Sequence, residues 1–352
     1  LLVVTCPCAL GMATPLSVSS ALRRAAELGI LFKGGEFIEE LAKPGLIVFD
    51  KTGTLTEGRL ELVHFQGSDE TKALLRAAEA RSGHPIARAV QRSIPENRLV
   101  CTEVRELDAG LLARVGEQDV LVGALSRLEQ TLGNAPERIR RDVAAQAALG
   151  RTPIVVAVDG EFSAVAALSD RLREDARSGL QRLQALGFRF QILSGDHQRA
   201  VDALEKQLQV PFLRAKGHAT PEDKLATVKA LRVAGERVLM VGDGVNDAAA
   251  MAAANVGIAV HGGAEACLAT ADVFMTRAGL EPVALAAEGA RRTLRTIRRG
   301  IVLSLAYNAV GIALAASGVL SPLFAAVLMP LSSVTVVSVA LRSRTFRKEV
   351  GS

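Results

Sequence analysis

From Gly300 to Leu341 the chain has no acidic or basic side chain, a run of 42 residues that is mostly apolar. Such a run is too long and too uniform for a surface helix and is sufficient for two membrane spans of about 20 residues each. Arg291, Arg292, Arg295, Arg298 and Arg299 precede it, and Arg342, Arg344, Arg347 and Lys348 follow it. A helical hairpin puts both basic clusters on one side of a bilayer, as the positive-inside rule requires. The alternative, a hairpin buried in a soluble core, conflicts with how seldom core helices are so long and charge-free. The clusters also account for the net charge of +5 without invoking nucleic acid. Aromatic residues make up only 3% of the chain, with one Tyr and no Trp, so no base-stacking platform is available. Membrane lipid, not nucleic acid, is the expected surrounding.

The chain opens on Leu1-Leu2-Val3-Val4, without a Met or a basic signal-peptide start. Residues 1–22 read as the latter part of a span, and the chain as a piece of a larger membrane protein. Pro7 and Pro15 lie in this apolar segment, where they interrupt helical hydrogen bonding. The four cysteines are too few for a disulfide framework in a chain of 352 residues. That length predicts about two domains.

Leu46-Ile47-Val48-Phe49 is a short apolar run ending at Asp50, the pattern of a buried parallel strand with a functional residue at its carboxyl end. Residues 59–163 have another texture. A helix is expected over Asp69–Arg92, with short strands near Val120–Val122 and Ile154–Val156, as in an inserted α+β module. From Val165 an α/β alternation resumes, with helices expected at 174–186, 197–207 and 221–233 and strands at 188–193, 238–241 and 256–259. The fold class is therefore α/β: a doubly wound domain with an insertion after its first strand, plus transmembrane helices.

Four motifs fall at strand ends or helix starts: Asp50-Lys51-Thr52-Gly53-Thr54-Leu55-Thr56, Leu193-Ser194-Gly195-Asp196, Thr220-Pro221-Glu222-Asp223-Lys224 and Val241-Gly242-Asp243-Gly244-Val245-Asn246-Asp247. Any single Asp at a strand end is an ordinary helix cap. Together they supply the parts of a phosphoryl-transfer site. Asp50 is a carboxylate nucleophile, and nearby glycines let backbone amides approach phosphate oxygens. Asp243 is a hard oxygen ligand for Mg²⁺, and Asp247 can hold the hydration shell of the ion. Lys224 offers a fixed positive charge and Ser194 a hydrogen bond to the transferring group. Thr52 is informative on its own. Related phosphatases place a second Asp two residues after the nucleophile as acid and base, which a Thr cannot replace, so an aspartyl-phosphate here should persist.

The segment Asp50–Thr56 resembles the phosphorylation signature of P-type ATPases, and the ordered quartet resembles their haloacid-dehalogenase-like domain. The resemblance implies that ATP phosphorylates Asp50 and that Thr52 gives its backbone carbonyl to Mg²⁺. It also counts Thr54 and Asp196 with the catalytic set, and Asp196 with the ATP-binding residues. Ser82-Gly83-His84-Pro85 resembles the His-Pro motif of the heavy-metal subgroup, whose His positions ATP. Gly110 and Gly123 fall where that nucleotide-binding domain lets its backbone approach the nucleotide. Gly83, Ala124 and Ala249 depart from the pattern, standing where Glu, Asn and Pro are frequent, and Asp108 stands near the first Gly of a Gly-x-Gly pair.

Cys6-Pro7-Cys8 places two thiols beside a helix break, and thiolates select soft ions such as Cu(I), and also Zn²⁺. Tyr307-Asn308 and Met329-Pro330-Leu331-Ser332-Ser333 stand in the later apolar segments. Together these resemble the copper(I) subgroup, which implies that Cys6, Cys8, Tyr307, Asn308, Met329 and Ser333 coordinate the transported ion. A thioether without a carboxylate or His argues against Zn²⁺.

By this resemblance residues 1–31 are a transmembrane helix, 32–58 the first part of the phosphorylation domain and 59–163 the nucleotide-binding domain. Residues 164–283 are then the second part of the phosphorylation domain, 284–341 two transmembrane helices and 342–352 a cytoplasmic tail. The implied function is ATP-driven Cu(I) transport in a multi-pass cell-membrane protein with cytoplasmic catalytic domains, using ATP and Mg²⁺. Implied partners are a soluble copper donor and the amino-terminal part of the same pump, since no Thr-Gly-Glu actuator segment and no Cys-x-x-Cys metal module occur in the chain. A pump for Ag(I), Zn²⁺ or Cd²⁺ and a soluble phosphatase of the same fold are the alternatives.

Overall fold

A computed structural model describes residues 8–108, 110–243, 246–260, 270–317, 338 and 345–346. The chain divides into two compact units, one of residues 1–49, 175–191 and 221–352, the other of residues 50–174 and 192–220.

The first unit is built on strands in the order β1 (Ile30–Phe32), β13 (Val273–Met275), β12 (Val256–Ala259), β11 (Val238–Gly242), β2 (Leu46–Phe49) and β9 (Arg189–Leu193). The end of β9 runs into the second unit, beside β10 (Arg214–Lys216). β2, β11, β12 and β13 pair in parallel, and β1 closes the edge antiparallel to β13. β2, β11 and β12 are buried at every position, as their unbroken apolar runs require of a sheet covered on both faces. Helices α1 (Cys8–Glu27), α2 (Glu36–Leu41), α7 (Ala176–Ala185), α9 (Pro221–Val233), α10 (Ala248–Ala253) and α11 (Glu281–Ala316) complete the unit.

α11 has two halves. Ala284, Ala286, Ala287 and Ala290 are wholly or almost wholly buried, and Arg182 of α7 holds Glu288 through two 2.9 Å bonds. Beyond the arginines, Val302, Leu305 and Val310 are exposed, as lipid-facing side chains are. Residues 284–293, assigned by sequence to the two-span segment, thus pack within the first unit, and exposed large apolar side chains begin at Val302. Among the described residues α11 is the one helix long and apolar enough to cross a membrane. At the other end, the helix expected over residues 1–31 stops at Glu27, and Ile30 is already in the sheet.

The second unit contains a six-stranded antiparallel sheet in the order β3 (Thr56–Gln66), β8 (Glu161–Leu172), β7 (Thr152–Val158), β6 (Gln118–Gly123), β5 (Gly110–Val115) and β4 (Cys101–Leu107). Alternate residues feed two cores. Val120, Val122, Ile154 and Val156 pack with Leu74 and Leu75 of α3 (Asp69–Ala78) and Val90 of α4 (Pro85–Ser93). Leu121, Val155 and Ala157 pack with Leu128 of α5 (Leu125–Leu132) and Ile139 of α6 (Glu137–Ala148). The inserted module starts at Thr56 and returns at Leu172, a little wider than residues 59–163, because β3 and β8 pair along their lengths. The helix expected over Asp69–Arg92 is broken. His84 is extended (φ −65°, ψ 147°) ahead of Pro85, which starts a new helix.

Candidate functional site

In the first unit Phe49 and Val241 lie opposite each other in the parallel pairing of β2 and β11. Asp50 is the residue after Phe49, and Asp243 the residue after Gly242. Lys224 of α9 and Asp247, just ahead of α10, form an ion pair at 2.7 Å with 4% and 0% exposure. Burial pushes the Asp247 carboxyl up from its ordinary value against the opposing charge of Lys224, and the negative charge of Asp243 adds to the rise. Asp247 Oδ2 is buried and has no hydrogen-bond partner among the described residues. A hydrated cation held by Asp243 and Asp247 would relieve both strains, so these side chains fit Mg²⁺.

The second unit holds the rest of the predicted catalytic set. Asp50 is 6% exposed. The turn after it places Gly53 at φ 75°, which favours glycine, and buries Thr54 completely. Thr54 Oγ1 has no partner among the described residues, so its hydroxyl is available to a phosphoryl oxygen. Asp196 gathers three side chains: Lys51 Nζ lies 2.6 Å away, and Thr52 and Ser194 donate to it at 3.1 and 3.3 Å. Burial acts to raise its pKa, but these partners prevail and hold it below the ordinary value. Ser194, expected as a donor to the transferring group, spends its hydroxyl on Asp196 and accepts the Asp196 amide at 3.1 Å.

Two residues of this loop were not foreseen from sequence. Arg173 donates to the Gly53 and Thr54 carbonyls at 2.9 and 3.0 Å, and its amide donates to the Leu55 carbonyl at 3.1 Å. Asp170 accepts the Arg59 amide at 3.0 Å and lies in hydrogen-bond contact with Thr56 Oγ1. Thr56 Oγ1 also lies 3.0 Å from the Lys51 carbonyl. Burial raises the Asp170 carboxyl from its ordinary value, against its hydrogen bond to Thr56 and the charge of Lys51. The available signal was a charged run, Asp170-Arg171-Leu172-Arg173, closing the apolar strand β8.

In the inserted module His84 caps α4. Its Nδ1 accepts the Ile86 amide at 3.3 Å. The neutral ring then carries its hydrogen on Nε2, a donor for a nucleotide oxygen. A side chain at Gly83 would meet nothing within 4 Å, so packing does not dictate that departure. Gly110 has φ +136°, and a Cβ there would stand 2.1 Å from the Val122 carbonyl oxygen and 2.9 Å from Gly123 Cα. Its glycine is thus demanded by the close approach of β5 to β6. Glu79, five residues before His84, is buried, and burial pushes its carboxyl up to about 7. It too was missed, because Ala77-Ala78-Glu79-Ala80 reads as a helix with one solvated acid.

Of the six residues assigned to the transported ion, Cys6, Met329 and Ser333 lie outside the described residues. Cys8 opens α1, and Tyr307 and Asn308 are half-buried in α11, which packs against α1. No cluster of three His, Cys, Asp or Glu side chains suited to a metal occurs among the described residues.

Residues 44–255 match the family of haloacid dehalogenase-like hydrolases. The chain belongs to that family. Within this hydrolase family the resemblance to heavy-metal P-type ATPases is borne out along almost the whole chain. It is 37% identical to the copper-exporting P-type ATPase of Staphylococcus aureus (strain Newman) over 99% of its own length and 44% of the relative's. The chain thus spans less than half the length of the curated relatives it matches. The crystal structure of a zinc-transporting PIB-type ATPase in the E2.Pi state superposes with a TM-score of 0.87 at 32% identity, over 98% of this chain and 57% of that one. The catalytic domain of the CPx-ATPase CopB-B superposes with a TM-score of 0.59 at 26% identity, over 76% of this chain and 98% of that one.

Proposed function

We propose that this hydrolase-family chain is the carboxyl-terminal part of an ATP-driven Cu(I) pump that works through an aspartyl-phosphate at Asp50. In the forward step an Asp50 carboxylate oxygen attacks the γ-phosphorus of ATP, the bond to the β,γ-bridging oxygen breaks, and ADP leaves with its electron pair. Asp50, the Thr52 carbonyl, Asp243 and Asp247 would hold Mg²⁺, which supplies neutralisation of the phosphate charge. Lys224 would neutralise the transferring group and the Thr54 hydroxyl would donate to it, while Asp196 fixes Lys51 and Thr52. Ser194 supports Asp196. His84, Gly110 and Gly123 receive the nucleotide. The reading is carried by two buried polar atoms without a partner among the described residues, Thr54 Oγ1 and Asp247 Oδ2. A phosphoryl oxygen and a hydrated cation would satisfy them in turn.

Cys6, Cys8, Tyr307, Asn308, Met329 and Ser333 are proposed to bind the ion, and their soft sulfurs favour Cu(I). The likeness to a zinc-transporting pump supports Zn²⁺ as a second reading. The remainder of the pump, a copper donor and a multi-pass membrane setting complete the proposal. Labelling with γ-³²P ATP tests the chemistry. A hydroxylamine-labile label absent from Asp50→Asn is expected, and equal labelling of the two proteins refutes the assignment. Stimulation of the full-length pump by Zn²⁺ but not Cu(I), under reducing conditions, would favour the second reading.

A further inference from the structure

Thr345 and Phe346, in the tail beyond the charge-free segment, are 2% and 5% exposed. The Phe346 ring meets Phe32 of β1 edge to face, with centroids 6.3 Å apart and planes at 71°. Gly289 lies against the same ring, in the packed half of α11. A Cβ at Gly289 would stand 2.2, 2.3 and 2.6 Å from three Phe346 ring atoms. Position 289 therefore admits the ring only because it has no side chain. Glycine is unfavourable inside a helix, and the ring supplies the reason for it here.

The walls of this socket belong to chosen elements. Phe32 follows α1, the helix that Cys8 opens, by five residues after Glu27. Gly289 is in α11 itself, 18 residues before Tyr307, or about 27 Å along one continuous helix. Phe346 follows Ser333 by 13 residues in the sequence. Gly289 thus lies in one ligand-bearing helix, and Phe32 and Phe346 follow the other two ligand-bearing stretches of sequence, so the contact joins chain continuous with all three. The first unit, in which they meet, also holds Lys224, Asp243 and Asp247.

We propose that Phe346 is a positioning residue, a plug that fastens the tail following Met329 and Ser333 in sequence to β1 and α11, so that occupancy of the ion site is sensed by the unit that holds Lys224, Asp243 and Asp247. The inference rests on the pump reading above. Packed side chains that join such stretches are a physical route by which coupling travels.

The test uses the full-length pump with Phe346→Ala, Phe346→Leu and Gly289→Ala, the last expelling the ring without altering the tail. Tryptic cleavage at Arg344–Thr345 reads the plug directly. It should be at least fivefold faster in Phe346→Ala and Gly289→Ala than in wild type, and unchanged rates overturn the socket. Phosphorylation of Asp50 by ATP with and without Cu(I) reads the coupling. The ratio of the two should fall at least fivefold in both Ala variants and recover in part in Phe346→Leu, while labelling from inorganic phosphate without metal stays within twofold. The double variant should be no worse than Phe346→Ala, because the clash needs the ring. An unchanged ratio despite faster cleavage overturns the coupling and leaves a merely structural contact. Absence of label at Asp50 in wild type would instead defeat the pump reading.

Discussion

Replacing Glu79 with Gln should make the stability of the inserted module less dependent on pH, by an amount that follows from its burial. The carboxyl is raised from an ordinary 4.5 to about 7 by desolvation. That gap corresponds to about 3 kcal/mol between its protonation states. The folded chain holds the proton more tightly than the unfolded chain. The contribution of Glu79 is therefore fully present below pH 4.5 and is lost as the pH rises to about 7. Glutamine has nearly the same shape and does not titrate. The stability of Glu79→Gln relative to wild type should thus grow by about 2–3 kcal/mol between pH 4.5 and 8, whatever the offset at the acid end. Cys101 reports on opening of the module, since its buried thiol shares the core of Leu74, Leu75 and Ala78. The variant-to-wild-type ratio of Cys101 alkylation rates, read peptide by peptide in a mass spectrometer, should fall by up to about a hundredfold from pH 4.5 to pH 8. A variant-to-wild-type ratio that does not change with pH would refute the reasoning, because it would mean that the carboxyl ionises in place without cost.

Arg173→Ala removes two charged hydrogen bonds to the loop after Asp50, each worth about 1.5–3 kcal/mol. Labelling of Asp50 should slow at least tenfold with little change in ATP affinity, measured by rapid quench and by displacement of a fluorescent nucleotide. Gly110→Ala forces a Cβ against the β6 backbone at a φ that side chains avoid, at a cost of about 1–3 kcal/mol. ATP binding should weaken more than tenfold, and the module should unfold at lower denaturant.

The parallel strands were legible because complete burial leaves a complete apolar run: β2, β11 and β12 follow Leu46–Phe49, Val238–Val241 and Val256–Ala259 almost residue for residue. The four catalytic motifs were legible because each sits where a strand ends or a helix begins. What was hidden depends on partners far away in sequence. Arg173 reaches a carbonyl 119 residues earlier, and Lys51 closes on Asp196 across the whole of the inserted module. The apolar pattern also runs on through Glu79–Arg92, but Gly83 and Pro85 mark the cut, and the backbone is extended at both Ser82 and His84. Burial of Glu79 and Phe346 is invisible in one dimension, since one sits among alanines and the other in a basic tail.

The slow hydrolysis expected of this chain has a local cause that one substitution can reverse. Thr52 stands two residues after Asp50 and donates its hydroxyl to Asp196 Oδ2 at 3.1 Å. It can neither take a proton from water nor give one to a leaving group. Thr52→Asp would put a carboxyl oxygen about 3 Å from the Asp196 carboxylate, and two carboxylates that close cannot both ionise readily. One of them would then hold its proton toward neutral pH, the property of a general acid and base, which contributes about 10²–10⁴ in rate. The aspartyl-phosphate formed from γ-³²P ATP, chased with unlabelled ATP and chelator, should decay at least about a hundredfold faster in Thr52→Asp than in wild type. Thr52→Val removes the same hydrogen bond without supplying a carboxyl, and its decay should stay near wild type. If the two variants decay alike, loss of the Thr52–Asp196 bond rather than the new carboxyl governs hydrolysis. The persistence of the phosphoenzyme would then need a cause other than the residue at position 52.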